Sequence, residues 1–76
     1  MFEELETVIL KRDIAEYGLR AGDMGAVVNT YEDGKTIEVE FVTATGKTVA
    51  LVTLKSSDVR RVSKNDILHV RGYSII

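Results

Sequence analysis

Cysteine, proline and tryptophan are all missing from this 76-residue chain, and each absence excludes something. Without cysteine there is neither a disulfide framework nor a thiolate zinc site to reinforce a small core, a composition compatible with a reducing cytosol. Without proline, the tight turns fall to glycine, and the density of Val, Ile and Thr around those glycines favours strands. Histidine occurs once, as His69. A zinc site needs about three or four good ligands, so a lone imidazole with no thiol is a poor start. No apolar run approaches the ~18 residues of a membrane-spanning helix. Met1-Phe2-Glu3-Glu4 is acidic where a secretory signal needs a positive start. The expectation is a cytoplasmic protein with no membrane contact and no cofactor. The formal net charge of −2 supplies no whole-domain field to attract nucleic acid.

What is present is ordinary globular material: 45% hydrophobic and 29% charged residues, too apolar for a disordered segment. The length allows one domain, residues 1–76. A chain this short buries only ~60% of the surface its unfolded form exposes, and such domains often regain stability by oligomerising.

The stretch Leu10–Val28 is the most informative. A strand-like run, Thr7–Lys11, leads into a loop over 13–23, with one helical turn expected around 14–17. Gly22 and Gly25 bracket a tight turn before a second strand, Gly25–Tyr31. Asp33-Gly34 is a strong hairpin signal, because glycine tolerates positive φ without steric cost. Thr36–Thr43 then alternates cleanly. Ile37, Val39 and Phe41 share one face while Glu38 and Glu40 occupy the other, giving a half-buried strand with a wet acidic side. Ala44-Thr45-Gly46 turns into a fourth strand, Lys47–Leu54. It is apolar on both sides and is therefore expected to be central or covered. Ser56-Ser57-Asp58 reads as one helical turn, and Val59–Val62 as a short fifth strand. Five short strands at this spacing predict a barrel or a strongly bent meander.

The segment after Val62 is the odd one. Ile67, His69 and Arg71 alternate with Leu68 and Val70, and the chain ends on Ser74-Ile75-Ile76. An uncovered, apolar, strand-forming tail is an aggregation hazard. Residues 64–76 therefore either pack on the barrel as an extra strand or pair with a second copy, making the chain a homo-oligomer. The candidate protein interface is Ile67, Leu68, His69, Val70, Tyr73, Ile75 and Ile76.

Catalytic patterns are hard to find. Gly46-Lys47-Thr48 has the ending of a phosphate-binding loop, but the required upstream glycine is Phe41, and a strand follows where a helix N-terminus is needed. Asp66, Ser63 and Ser74 are near His69 in sequence, which does not establish the spatial roles of a triad. Asp23, Asp33 and Asp58 sit where turns and caps want carboxylates. Glu38 and Glu40 belong to a solvated strand face rather than to an acid–base pair with one raised pKa. The one basic cluster combines Lys55, Arg60, Arg61 and Lys64. With Arg20, Arg12 and the aromatics Tyr17 and Tyr31 it could serve nucleic acid, although the interspersed acidic residues dilute any continuous patch.

The pattern LKRDI (10–14), YGLRAGDMGAVV (17–28), EDGK (32–35), IEVEFV (37–42), GKT (46–48) and VTLKSSDVRRV (52–62) resembles a family of small, stand-alone bacterial proteins of unassigned function. More distantly, the opening is similar to KOW-type and other SH3-like barrels, which serve in translation, transcription and enzyme-subunit contacts. The resemblance implies an all-β, small SH3-like barrel of about five strands with a C-terminal strand-like extension. It carries no catalytic residue onto this sequence.

The functional expectation is a non-catalytic module acting through protein–protein contacts, as an accessory, antitoxin-like or immunity-like partner of a co-encoded protein. The alternative is a nucleic-acid-binding barrel using Arg20, Lys55, Arg60 and Arg61. Metal and catalytic residues are expected to be none.

Overall fold

The strands run β1 Thr7–Leu10, β2 Met24–Thr30, β3 Thr36–Val42, β4 Thr48–Lys55 and β5 Val59–Arg61, in a computed structural model that describes residues 2–73. They form one antiparallel sheet in the order β4-β3-β2-β1-β5. Single 3-10 turns at Ala15–Tyr17 and Ser56–Asp58 interrupt the connections, as the sequence predicts. Among the described residues the sheet is open, with β4 and β5 at its two edges. The all-β class is as expected, while closure into a barrel is not seen.

Alternation on β3 decides the core. Ile37, Val39 and Phe41 are buried, and Ala50, Val52 and Leu54 of β4 join them with Val8, Leu10, Val27 and Val59. Glu38 and Glu40 stay half-exposed on the opposite face. Two register shifts curve this sheet. Val28 is the extra residue between the Val27–Val39 and Asn29–Glu38 pairs, and Val49 is the extra one between Phe41–Ala50 and Val42–Thr48. Each bulge bends its strand and increases the local twist.

Strand β4 is not central. It is an edge strand with alternate residues facing solvent, and Leu51 is 54% exposed. Its run of apolar residues suggested covering on both sides, but that covering belongs to β1. Val8 and Leu10 enter the core cluster, while Ile9 is buried outside it. Gly25 also differs from its expected turn role. It lies inside β2 opposite Val8, and a Cβ there would fall 2.6 Å from Val39 Cγ1 and 2.9 Å from Phe41 Cε1. Glycine is needed at this point for close packing. The positive φ belongs to Gly22, at 98°.

The long connection between β1 and β2 folds back on itself. Ile14 and Leu19 exchange main-chain hydrogen bonds of 2.9 and 3.1 Å and bury their side chains in the core. Its end is tied to β1, since Leu10 N–H donates to Asp23 O at 2.9 Å and Gly22 N–H to Leu10 O at 2.8 Å.

Residues 62–73 hold no strand, which corrects the expected strand-like extension over its described part. The chain reverses in a turn at residues 63–66 and crosses back over the open end of the sheet. Ser74, Ile75 and Ile76 lie outside the described residues.

Candidate functional site

The returning segment, residues 66–73, acts as a strap over a groove of about 670 Å³. The floor of the groove is apolar, formed by Ile9, Leu19, Phe41 and Val49, and Arg20 and Arg60 lie on its rim. Local chemistry fixes the strap at two points. At the near end, the Asp66 carboxylate accepts two hydrogen bonds from the Arg60 guanidinium, at 2.8 and 3.0 Å, and a third from Ser63 N–H at 2.6 Å. These donors hold the Asp66 pKa below the ordinary aspartate value, Arg60 contributing most.

At the far end, Arg71 reaches the first loop. Its Nε donates to Asp23 Oδ1 at 2.8 Å and its Nη2 to Asp23 Oδ2 at 2.5 Å, with a further bond from Nη2 to Gly18 O at 2.9 Å. The pair is sheltered, with side-chain exposures of 23% for Arg71 and 17% for Asp23. Burial works against the Asp23 carboxylate, but the Arg71 hydrogen bonds and the Arg20 backbone N–H outweigh it, so its pKa lies below 3.8. Tyr73 adds a hydrogen bond from its hydroxyl to Tyr17 O at 2.7 Å.

The strap is thus held by polar side chains, and its apolar ones border the groove while staying open to solvent. Ile67 is 93% exposed and Val70 92%, and Leu68 and His69 are exposed between them. Of the residues read from sequence as an interface, Ile67, Leu68, His69 and Val70 are all exposed. Tyr73 serves instead as an anchor, and Ile75 and Ile76 fall outside the described residues. Arg71 was missed as the chief anchor. Its only signal was a charged residue inside an apolar alternation, which asks for a carboxylate without saying which.

Of the candidate nucleic-acid residues, Arg20 and Arg60 line the groove, whereas Lys55, the last residue of β4, does not. Arg60 is paired with Asp66, and Arg61 pairs with Glu6 while its guanidinium stacks 4.6 Å over the Phe2 ring. Such pairing spends positive charge that phosphate would otherwise meet.

Three further aspartates have structural tasks. Asp33 caps the β2–β3 turn, accepting from Lys35 N–H, Thr36 N–H and the Thr36 hydroxyl at 2.7–2.9 Å. Asp58 accepts from Arg12 and from Lys55 N–H, both at 3.0 Å. Asp13 accepts from Ala21 N–H at 2.8 Å. Gly46-Lys47-Thr48 is a hairpin turn entering β4, and the Thr48 hydroxyl donates across to Glu40 at 2.9 Å. Among the described residues, no group of three or more His, Cys, Asp or Glu could hold a metal ion, and no helix is long and apolar enough to cross a membrane.

These features define an all-β domain of five antiparallel strands with a polar-anchored C-terminal strap. The chain belongs to the family described as a domain of unknown function (DUF4926), whose model matches residues 4–61. The match takes in the whole sheet and stops before the strap. Comparison with curated proteins and with solved structures returns no match.

Proposed function

We propose that this chain is a non-catalytic protein-binding module on an SH3-like plan, which docks a partner protein on the exposed apolar residues of its strap. The strand order, with β5 beside β1 and a single 3-10 turn between β4 and β5, supports the SH3-like plan. The observation that carries the binding reading is the strap's inversion: polar side chains hold it down, and Ile67, Leu68 and Val70 face solvent. A solvent-facing apolar row held in place by an ion pair is the arrangement of a presented surface, since exposed apolar patches mark interaction sites. The non-catalytic reading is supported by the carboxylates. Asp23, Asp33, Asp58 and Asp66 are all held below the usual pKa by donors, opposite to the raised value a general acid needs. A co-encoded protein that this module restrains or supports in the cytoplasm is the partner the reading implies.

The test is capture from the native host's lysate on tagged protein, with and without nuclease, comparing wild type with Ile67→Asp/Val70→Asp. The expected result is one stoichiometric protein that survives nuclease and is lost with the double substitution. Companions that disappear on nuclease treatment, together with recovered nucleic acid, would replace this reading with the nucleic-acid one. Capture unchanged by the substitutions would remove the strap from the interface.

A further inference from the structure

We propose that two copies of this chain exchange straps, residues 66–73 of each lying in the groove of the other. The groove's polar chemistry is already matched to one ligand, the strap itself. Asp23 and the carbonyls of Gly18 and Tyr17 receive Arg71 and Tyr73 at 2.5–2.9 Å. Those acceptors lie 48 to 56 residues earlier in the chain, so the contacts do not depend on the strap belonging to the same molecule.

Release is local. Among the described residues, the main chain from 67 to 73 makes no main-chain hydrogen bond to the sheet or the first loop. The reversal is exposed at residues 63–65 and closed by short-range bonds, Ser63 N–H to the Asp66 carboxylate at 2.6 Å, Asp66 N–H to Ser63 O at 3.0 Å and Asn65 N–H to Ser63 Oγ at 3.2 Å. Exchange requires opening that turn, with its Ser63 N–H to Asp66 bond, and re-forming the Arg60–Asp66 and Arg71–Asp23 pairs between molecules. Swapping an identical element is a low-cost route to a dimer.

The hinge sequence supplies the reason for exchange over closure. Val62, Ile67 and Leu68 flank the turn and are exposed in the closed form. The alternation of Ile67, His69 and Arg71 with Leu68 and Val70 reads as strand, yet the closed chain makes no strand there. Opened, the hinge segments of two copies run antiparallel past each other. Each supplies the edge the other lacks, which pairs backbone groups that one copy leaves in water. This inference stands without the docking reading above, because its readout is mass and needs no partner protein.

Charge exchange at the anchor tests it. Asp23→Arg and Arg71→Glu are prepared separately and each is checked for a folded core by amide dispersion. Each alone places like charges at the anchor both in cis and in trans, and is expected to run as an 8.4 kDa monomer. Mixed, they restore an Arg–carboxylate pair in both grooves only if straps cross between molecules, and the mass is expected to double. The double variant Asp23→Arg/Arg71→Glu should match the wild-type dimer. A mixture that remains monomeric overturns the proposal, as do single variants that dimerise as well as wild type. Deleting Lys64 and Asn65 provides a second route. It leaves too short a hinge for closure in cis, so a permanent dimer is expected, and a folded monomer would equally overturn the exchange.

Discussion

Strand β3 and the strap carry the same kind of sequence, apolar residues alternating with polar ones, and they end in opposite states. In IEVEFV the apolar residues are buried and the glutamates face water; in DILHVR the apolar residues face water and the arginine is held down. The difference is not in the pattern. Strand β3 lies between β2 and β4, which satisfy its backbone and set one face against the core. The strap has no neighbouring strand to fix a face, so the strongest polar match, Arg71 with Asp23, sets its orientation. Alternation encodes two unlike faces; neighbours decide which one is buried.

The largest expected way to widen this contrast is in the core. Phe41→Ala removes a buried ring shared by the core and the groove floor. The cost is about 3–5 kcal/mol, most of the stability available to a domain of this size. Urea denaturation should show a largely unfolded population in buffer, whereas Ile67→Asp in the strap should leave the unfolding free energy within about 0.5 kcal/mol of wild type.

Gly25→Ala comes next. The added Cβ meets Val39 Cγ1 at 2.6 Å and Glu40 O at 3.0 Å, and overpacking of that sort costs about 1–3 kcal/mol. A lowered urea midpoint with an unchanged slope is the outcome that confirms a steric role for this glycine. An unaltered midpoint would show that Val39 and Phe41 can yield.

The smallest effect is local and acidic. The Asp23 pKa is depressed in the folded chain, so its contribution is complete above the unfolded value near 3.8 and is lost as pH falls through the lower folded value. Arg71, Arg20, Asp13 and Tyr73 are the charged and titratable neighbours of this pair. Asp66 has the same sign. Strap resonances such as His69 and Tyr73 should therefore reach random-coil shifts at a higher pH than the β3 amides. In Asp23→Asn the strap should already be loosened at neutral pH. Strap and core melting together in acid would erase the distinction between them.

How much was legible before folding varies residue by residue. The faces of β3, the Asp33-Gly34 turn, the Gly46 turn and the 3-10 turn at Ser56–Asp58 follow from local rules, and the structure keeps them. The candidate surface at Ile67–Val70 was visible as an unsheltered apolar run, but its support was not. Arg71 and Asp23 are 48 residues apart, and nothing in either neighbourhood names the other. Gly25 misled because a glycine beside a turn and a glycine under a packed ring look alike in one dimension. Strand β4 misled because an apolar edge strand carries the same composition as a central one.

The sequence by itself determined the all-β class, the five strands of the sheet and most of the turns between them, since turn chemistry and a two-residue period act over a few neighbouring residues. Only the tertiary structure decided that β1 rather than β4 is covered on both sides, that Gly25 serves close packing, and that the strap is anchored by charge with its apolar residues left exposed. Those outcomes depend on which distant segments meet, and pairings across dozens of residues are fixed by competition among whole arrangements of the chain rather than by any local preference.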